Sequence, residues 1–569
     1  MSDNAPLRVV LCWHMHQPDY RDLISGKYRQ PWTYLHAIKD YVDMVAHLEA
    51  NANARAVVNF APVLLEQIDV YANVVKDMLQ HHAAIPDPLL SALAEPALPS
   101  SHGEREALIS ACLRANEKNM IHRFPAFAKL VELGKMFIEQ PHALHYVSED
   151  FLSDLLVWYH LAWIGETVRR QDSRVKTLMQ KEHHYTLHER RELLTIISDI
   201  LSDLLPRYRA LAEAGQVELS FTPYAHPIVP LLLDIPCAKE AMPDAPLPAM
   251  DSYPGGDVRA RWHMQKGLEV FQHHFGFKPR GCWPSEGSVS DATMELLDEF
   301  SIDWAATGES VLHNSVSKMG EQLEDTHRHY LFQPHRTAGS NVACFFRDDR
   351  LSDQIGFVFA DWHADDAVAN LVHHLENIAD SFSDKDKAVV SIIMDGENAW
   401  EYYPENGFHF LDSLYAQLSN HPKLNLTTFS ECLDSDVPVN QLPHLVPGSW
   451  VYGTFSTWIG EKDKNRGWEM LRDAKFVFDQ AVADGLDERQ LHDAEQQLAV
   501  CEGSDWFWWF GGDNPSEAVQ DFDELYRMHL SRLYLILDKE PPDYLSHPFT
   551  HGGGRAEHGG TMKRGQAGA

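Results

Sequence analysis

The sequence contains, at residues 389–398, the stretch VVSIIMDGEN, in which six small or apolar residues run directly into two acids, Asp395 and Glu397. A near-continuous apolar run of this length is typical of a strand that is buried on both faces of a parallel sheet. An aspartate before a glycine is also common in ordinary turns. The stretch therefore predicts a buried strand with acidic residues at its end. Whether those acids are functional or are ordinary turn residues depends on the rest of the chain.

Five further short apolar runs end in the same way, in polar or chargeable residues. They are residues 8–13 before HMHQP, 56–60 before AP, 217–221 before TPYAHP, 281–283 before PSEG and 304–307 before GE. Because a β/α barrel places its chemistry at the carboxyl ends of its parallel strands, the repetition of this pattern carries more weight than any one run. The sequence therefore predicts an α/β fold built on a parallel barrel, with the polar clusters on one face.

The stretch between the second and third predicted strands has helical periodicity, and so does the chain after the last strand. The chain ends in a Gly-rich segment, a composition that is typical of disorder. We therefore predict a catalytic barrel over 1–440 with a helical insertion at about 64–215, a mainly helical C-terminal domain over 441–548 that contributes to the active-site cleft, and a disordered tail over 549–569.

The composition narrows the class of protein. The 569 residues are 44 % hydrophobic and 23 % charged, which is ordinary for a globular protein. The formal net charge of −35 repels nucleic acids and anionic membrane surfaces, so we expect neither as a partner. The 7 cysteines form no CxxC pair, and no apolar stretch reaches the ~20 residues that a membrane span needs. These features indicate reduced thiols and a cytoplasmic protein, and they leave the oligomeric state open.

Two carboxylic acids stand out as candidates for catalysis. Glu286 lies in the segment CWPSEG, away from other charges, and Asp395 is followed by Trp400 and two tyrosines. Carboxylates can supply the nucleophile and the acid/base of a glycosidase, while aromatic faces stack on sugar rings. Each acid also has a plain structural interpretation, Glu286 as a residue that caps the following helix and Asp395 as a turn residue.

Three other polar residues require partners. His14 and His16 alternate along a predicted strand, so both imidazoles lie on one side of it, where they could bind sugar hydroxyls or, with a third ligand, a metal. Asp505 lies directly before a run of aromatic residues in the segment GSDWFWWFG, and a buried acid needs hydrogen-bonding partners. Core packing alone explains most of the tryptophans in the chain.

Taken together, these motifs resemble those of glycoside hydrolase family 57. The five segments that carry the resemblance occur in the family's order: residues 14–18 (HMHQP), 215–228, 283–286 (WPSE), 395–400 (DGENAW) and 449–460. The resemblance implies an incomplete (β/α)7 barrel followed by a helical bundle. It also implies a mechanism that retains anomeric configuration, with Glu286 as the nucleophile and Asp395 as the acid/base.

The resemblance further implies an α-glucan or malto-oligosaccharide as the substrate, with no cofactor and no metal. On this basis we expect the remaining motif residues to bind the substrate: His14, His16, Gln17, His226, Trp283, Arg347, Glu397, Trp400, Trp450, Trp458 and Asp505. Arg347 is expected to position the nucleophile or a sugar hydroxyl, and Trp400, Trp450 and Trp458 are candidate stacking platforms.

Two details refine the resemblance. Gly308 stands where many relatives have aspartate, and Gln17-Pro18 is closer to the amylase and amylopullulanase branch than to the branching enzymes. The favoured function is hydrolysis of α-1,4 linkages, with α-1,6 linkages as a further candidate target and 4-α-glucanotransferase activity as the alternative at the same site. A metal-dependent carbohydrate deacetylase and an inactive glycan-binding protein remain as alternatives of another class, and a purely structural role fits the acidic strand ends poorly.

Overall fold

A computed structural model describes residues 5–320 and 330–554. Its ten strands are β1 Leu7–Met15, β2 Ala56–Phe60, β3 Val217–Phe221, β4 Gly281–Cys282, β5 Trp304–Gly308, β6 His335–Thr337, β7 Ala343–Arg347, β8 Val389–Asp395, β9 Leu424–Leu426 and β10 Asn440–Leu442. Seven of them, β1 to β5 with β7 and β8, run parallel in that order, and β8 returns to pair with β1. Where Arg347 of β7 lies opposite Ser391 of β8, the ring closes.

This ring confirms the predicted (β/α)7 barrel. All six of the predicted apolar runs form barrel strands. The seventh, β7 (ACFFR), was not recognised in the sequence, although it is as long as β2, β3 and β5. Its five residues are all buried, as a strand covered on both faces requires. Outside the ring, β9 pairs with β1, β6 runs antiparallel to β7, and β10 pairs with β6.

Helices surround the barrel and form the rest of the chain. The α-helices span Trp32–His36, Val42–Ala50, Pro62–His81, Pro88–Ala94, His102–Cys112, Pro125–Glu139, Glu149–Trp163, Glu166–Gln171, Ser173–Lys181, Leu187–Glu213, Val229–Leu233, Gly256–Phe275, Asp291–Glu299, Glu309–Lys318, Asp349–Phe357, Ala364–Ser381, Phe408–Leu418, Phe429–Asp434, Lys462–Asp484, Glu488–Cys501, Asp505–Trp509 and Ser516–Ile536. Short π-helical turns cover Ala37–Tyr41 and Glu117–Ile121, and short 3-10 turns cover Pro141–Tyr146, Ile235–Glu240, Ser285–Gly287, Phe359–Asp361, Lys385–Lys387, Trp400–Tyr402, Pro404–Gly407 and Asp543–Ser546. No helix among the described residues has the length and apolar character of a membrane span.

The helices that follow β10 pack around an apolar core of their own. Trp468, Trp506 and Tyr526 lie at its centre, and Ile228 and Tyr253 from the segment after β3 pack into the same core. We call the helices from Lys462 to Ile536 the C-terminal unit. Because the core includes residues from the barrel side of the chain, this unit is joined to the barrel by shared packing as well as by its linker.

A buried charged network reinforces this junction. The Glu502 carboxylate of the C-terminal unit accepts hydrogen bonds from Arg259 Nη2 at 2.9 Å, His263 Nε2 at 2.8 Å and the Tyr253 hydroxyl at 2.7 Å. Although burial opposes ionisation, Arg259 and His263 lower the pKa of Glu502 to about 2. Each buried charge therefore has the partners that burial demands.

The segment expected to be a disordered tail is packed where it begins. The Thr550 hydroxyl accepts a hydrogen bond of 2.9 Å from the Gly511 nitrogen, and the Phe549 ring lies 4.9 Å from that of Phe510. The prediction of disorder is therefore wrong for 549–554, because an aromatic residue and a hydroxyl find partners on the C-terminal unit. The rest of the predicted tail, 555–569, lies outside the described residues.

Candidate active site

A cavity of about 830 Å³ lies at the carboxyl ends of the barrel strands, between the barrel, the helical insertion and the C-terminal unit. Ten of the thirteen residues predicted for the site line it: His14, His16, Gln17, His226, Glu286, Arg347, Asp395, Glu397, Trp450 and Asp505. They come from five barrel strand ends and from two segments after the barrel. Parallel strands bring their carboxyl ends together, which explains how residues so distant in sequence meet.

Glu286 sits on a tight turn immediately after β4, with a backbone φ of 58°. Left-handed backbone is uncommon for a residue with a side chain, and it occurs where the surroundings hold it in place. Trp450 supplies much of this support. Its indole Nε1 donates to Glu286 Oε2 at 3.0 Å, and its backbone nitrogen donates to the Glu286 carbonyl at 3.1 Å. The Ser504 hydroxyl lies 3.4 Å from the other carboxylate oxygen.

The Glu286 carboxyl holds its proton tightly. Burial raises its pKa to about 8, the negative charges of Asp395 and Asp505 add to the rise, and the hydrogen bonds from Trp450 and Ser504 oppose it. A carboxyl in such a place is partly protonated near neutral pH, as in other enzymes whose acids share a site.

Asp395 is the last residue of β8, and the Asn398 amide donates to its Oδ2 at 2.8 Å. Burial raises the pKa of Asp395, while Asn398 and the positive charges of His16 and Arg347 oppose the rise. Because the negative charge of Asp395 disfavours ionisation of Glu286, the two acids lose their protons one after the other rather than together. One proton shared by two carboxyls leaves one acid and one anion.

Two histidines, His14 and His226, form a chain of hydrogen bonds beside Glu286. His14 Nδ1 donates to Asn59 Oδ1 at 2.7 Å, and its Nε2 lies 3.1 Å from His226 Nε2. His226 Nδ1 in turn lies 2.8 Å from the Ser504 hydroxyl. Burial, together with the neighbouring His16, lowers the pKa of His14 to about 3 and that of His226 well below its usual value. These imidazoles are therefore neutral, and neutral imidazoles can both donate and accept hydrogen bonds with hydroxyl groups.

His16, His226 and Asp505 have possible metal-ligand atoms within 4.8 Å of one another. Their geometry favours hydrogen bonding instead. The rings of His16 and His226 stack face to face at 3.8 Å and 15°, so their in-plane lone pairs point side by side rather than toward one common point. The Asp505 carboxylate also accepts a hydrogen bond of 2.8 Å from His16 Nε2. A tetrahedral zinc site needs converging ligands, which this arrangement lacks.

Arg347, at the end of β7, acts on Glu286 only through another residue. Its guanidinium donates to Asp349 Oδ1 and Asp353 Oδ1, both at 2.7 Å, and its Nε donates to a backbone carbonyl. It also lies 5.5 Å from the centre of the Trp450 ring, over its face. Arg347 therefore supports the tryptophan that holds Glu286, and the structure places it away from direct contact with the nucleophile candidate.

Glu397 and Gln17 form a polar wall of the cavity. Gln17 Nε2 donates to Glu397 Oε1 at 3.5 Å, and the Tyr20 hydroxyl donates to Gln17 Oε1 at 2.9 Å. Glu397 Oε2 finds no hydrogen-bond partner within 5–320 and 330–554. Burial raises the pKa of Glu397 well above its usual value, and the negative charge of Asp395 adds to the rise.

Three predicted site residues do not line the cavity. Trp283, Trp400 and Trp458 are 0 %, 1 % and 0 % exposed. The Trp400 ring packs at 5.9 Å from Trp13, and the Trp458 ring packs at 5.9 Å from Trp508. The prediction that Trp400 and Trp458 are stacking platforms is therefore wrong, because a buried ring has no free face for a sugar. Trp283 lies behind Trp450, edge to face at 5.3 Å.

Several lining residues were missed by sequence reasoning. They are Trp32, Arg114 and Trp163 on the insertion side, and Trp508, Trp509 and Phe522 on the side of the C-terminal unit. Trp508 and Trp509 belong to the aromatic segment around Asp505. The sequence indicated that this segment is unusual, but it did not indicate which of its side chains face the cavity. Ser504, which contacts Glu286, lies directly beside Asp505. Trp32, Arg114 and Trp163 lie in no motif, so the sequence offered no signal for them.

Gly308, the last residue of β5, has a clear structural role. A Cβ at this position would lie 2.7 Å from the Trp450 Cα, which is closer than real atoms approach. Glycine therefore lets the segment that carries Trp450 rest directly on the end of the strand. Gly308, which stands where many relatives have aspartate, is thus the residue on which the Trp450 segment packs.

Comparison with known proteins agrees with the geometry. The family model described as glycosyl hydrolase family 57 matches residues 10–445. A curated 1,4-alpha-glucan branching enzyme of Thermococcus kodakarensis is 24 % identical over 194 residues, which is 31 % of this chain and only 25 % of that protein.

Three solved structures share the fold over nearly their whole length. A branching enzyme from Pyrococcus horikoshii superposes with a TM-score of 0.59 at 16 % identity, covering 96 % of this chain and 92 % of the other. The Thermococcus branching enzyme gives 0.56 at 16 % identity, covering 95 % of each chain. The α-amylase AmyC from Thermotoga maritima gives 0.54 at 14 % identity, covering 94 % and 93 %. With its barrel, its polar strand ends and this family match, the chain belongs to glycosyl hydrolase family 57 and is a glycoside hydrolase or transferase.

Proposed function

We propose that the protein cleaves α-glucans with retention of anomeric configuration, using Glu286 as the nucleophile and Asp395 as the acid/base. The observation that carries the proposal is the pair itself. Two partly buried carboxyls from different strand ends line one cavity, and both have a raised pKa. The relatives named as branching enzymes and as an α-amylase support an α-glucan as the substrate.

The first step forms a glycosyl–enzyme ester. The Asp395 carboxyl gives its proton to the glycosidic oxygen while the Glu286 carboxylate attacks the anomeric carbon, and the sugar on the far side leaves as an alcohol. Once Asp395 carries the proton, it no longer repels charge on Glu286, so the like-charge part of the rise in pKa disappears. The Trp450 N–H then stabilises the anion on Glu286.

The second step releases the sugar. The Asp395 carboxylate takes a proton from an incoming hydroxyl, whose oxygen attacks the anomeric carbon and frees Glu286. Water gives hydrolysis, and a sugar hydroxyl gives transfer. We expect a carboxyl separation of about 5–5.5 Å, as a retaining pair requires. The neutral His14 and His226 are suited to hold hydroxyls of the cleaved sugar, and Trp450 offers a partly exposed indole face for stacking.

Hydrolysis is the primary proposal, and glucan transfer is the second candidate. Transfer is favoured by the aromatic residues Trp32, Trp508 and Trp509 on both walls of the cavity, since such residues can hold an acceptor sugar against competing water. A deacetylase is disfavoured by the stacked, non-convergent geometry of His16 and His226.

The test is to incubate wild type, Glu286→Ala and Asp395→Ala with maltoheptaose and to separate the products by chromatography. Shorter sugars alone indicate hydrolysis, and additional longer sugars indicate transfer. Added azide distinguishes the two roles, because it should rescue Glu286→Ala with inverted and Asp395→Ala with retained configuration. Full activity in both variants would show that Glu286 and Asp395 are not the catalytic pair. A wild type that is inactive on maltoheptaose would refute the assignment of an α-glucan as the substrate.

A further inference from the structure

One end of the active-site cavity is bounded by an ion pair that joins two units of the protein. Arg114 follows the helix His102–Cys112 of the insertion, and Asp521 lies on the helix Ser516–Ile536 of the C-terminal unit. Arg114 Nη2 and Asp521 Oδ2 are 2.8 Å apart. We call these two residues the cross-cleft pair, because Arg114 lines one wall of the cavity and Asp521 lies on the helix whose residues Ala518 and Phe522 line the opposite wall.

Arg114 is held in this position by contacts on its own side. Its guanidinium lies 4.9 Å from the centre of the Trp32 ring, over its face, and its Nη1 donates to Gln30 Oε1 at 3.1 Å. Trp32 also lines the cavity. The two side chains of the cross-cleft pair remain 32 % and 27 % exposed, and ion pairs with this much contact with water are weak. The pair is therefore well placed and easily opened.

Beyond the cross-cleft pair lies a second concavity of about 460 Å³, which we call the outer groove. Arg114, Ala115, Pro515 and Ala518 line both the cavity and the outer groove. The outer groove continues between the same two units and is lined further by Leu113, Ile138 and Glu517. Arg114 thus stands where one space passes into the other, and Asp521 holds its guanidinium there.

We propose that the cross-cleft pair limits the length of the α-glucan that the cavity accepts. With the pair formed, a bound chain ends inside the cavity, against Trp32 and Arg114. With the pair broken, a longer chain continues into the outer groove. This inference rests on the function proposed above, and it assigns a specificity role to residues that do not contact Glu286 or Asp395.

The experiment compares kcat/KM on long-chain amylose with kcat/KM on maltoheptaose in the full chain. The variants are Arg114→Ala, Asp521→Ala and the charge-swapped double variant Arg114→Asp with Asp521→Arg. The matched control is Arg174→Ala, which breaks exposed ion pairs with Asp172 and Asp199 within the insertion, away from the cavity. Thermal unfolding of each variant shows that it is folded.

We expect the amylose-to-maltoheptaose ratio to rise about threefold in each single variant, in line with the modest strength of an exposed pair. The ratio should return toward the wild-type value in the charge-swapped variant and stay unchanged in Arg174→Ala. An equal fall on both substrates would overturn the proposal by showing that Arg114 only binds sugar, and an unchanged ratio in every variant would also overturn it. A wild type that neither cleaves nor binds either glucan would overturn the proposed function as well as the chain-length proposal. Failure of the chain-length proposal alone would instead leave wild-type activity on both glucans intact.

Discussion

The indole nitrogen of Trp450 lies 3.0 Å from Oε2 of Glu286 and donates a hydrogen bond to it. The two residues are 164 positions apart in the chain. This bond fixes the direction of the carboxylate that follows β4, and it supplies a positive edge where the negative charge of a nucleophile has to reside. The segment around Trp450 is therefore part of the catalytic arrangement rather than a lid placed over it.

Trp450→Phe tests this bond, because phenylalanine keeps an aromatic ring and removes the donor. A hydrogen bond to a charged group contributes about 1.5–3 kcal/mol, so kcat/KM should fall roughly 10- to 100-fold. The matched control is Trp458→Phe, since the Trp458 indole nitrogen has no hydrogen-bond partner in the part of the chain that the structure describes. Equal losses in the two variants would mean that ring shape matters and the hydrogen bond does not.

Gly308→Ala should impair activity through the same tryptophan. The added Cβ would meet the Trp450 Cα at 2.7 Å, so the backbone of Trp450 has to shift and its indole moves relative to Glu286. We expect kcat to fall about tenfold or more, since small misplacements at a reacting centre have large effects on rate.

Gly103→Ala is the control for this substitution, because a Cβ there meets nothing within 4 Å. If Gly308→Ala kept wild-type kcat, the close packing of β5 against Trp450 would not be required for catalysis.

The stability of the protein should depend on pH through Glu286. Its pKa is raised from 4.5 to about 8 in the folded protein, so the folded state binds this proton more tightly than the unfolded chain does. The resulting stabilisation is complete below about pH 4.5 and is lost as the pH rises through about 8. Glu286→Gln, which cannot ionise, should therefore raise Tm relative to wild type more at about pH 8.5 than at about pH 5.

Glu189→Gln provides a comparison of opposite sign. Hydrogen bonds from Lys181 and Thr186 lower the pKa of Glu189 to about 2, although burial opposes them, so its ionised form stabilises the folded state above about pH 4.5. This variant should lower Tm at both pH values. A Tm difference for Glu286→Gln that is the same at both would contradict the raised pKa.

Chelation should leave activity intact. The stacked rings of His16 and His226 and the hydrogen bond from His16 to Asp505 favour a site for hydroxyl groups over a site for a metal. We therefore expect the same kcat on an α-glucan before and after dialysis against EDTA. A loss of activity that returns with added Zn²⁺ would instead establish a metal site and revive the deacetylase interpretation.

The sequence predicted the barrel because each strand is buried on both faces. Such strands read as apolar runs, and six of the seven were recognised in this way. β7, with the sequence ACFFR, was not recognised although it is as long as β2, β3 and β5, so strand length does not explain the omission. The start of the predicted tail escaped because Phe549 and Thr550 are fixed by contacts with residues of the C-terminal unit that no local pattern reveals.

Polar site residues were easier to predict than aromatic ones. A carboxylate or an imidazole at a strand end has few structural uses, so Glu286, Asp395 and His226 stood out and they do line one cavity. A tryptophan packs equally well in a core or at a sugar site, and Trp400 and Trp458 proved to be core residues. Contacts such as that of Ser504 with Glu286 depend on how two units dock, which local patterns do not encode.

Glu286 and His16 depend on contacts with Ser504 and Asp505, which are synthesised after all the barrel strands. A nascent chain that has emerged only as far as β10 already contains both candidate catalytic carboxyls, yet it lacks the residues that orient their surroundings. Enzymatic activity should therefore appear only after the C-terminal unit has been synthesised and has packed against the barrel. Proteolytic removal of the C-terminal unit should therefore abolish activity, even if the barrel remains folded.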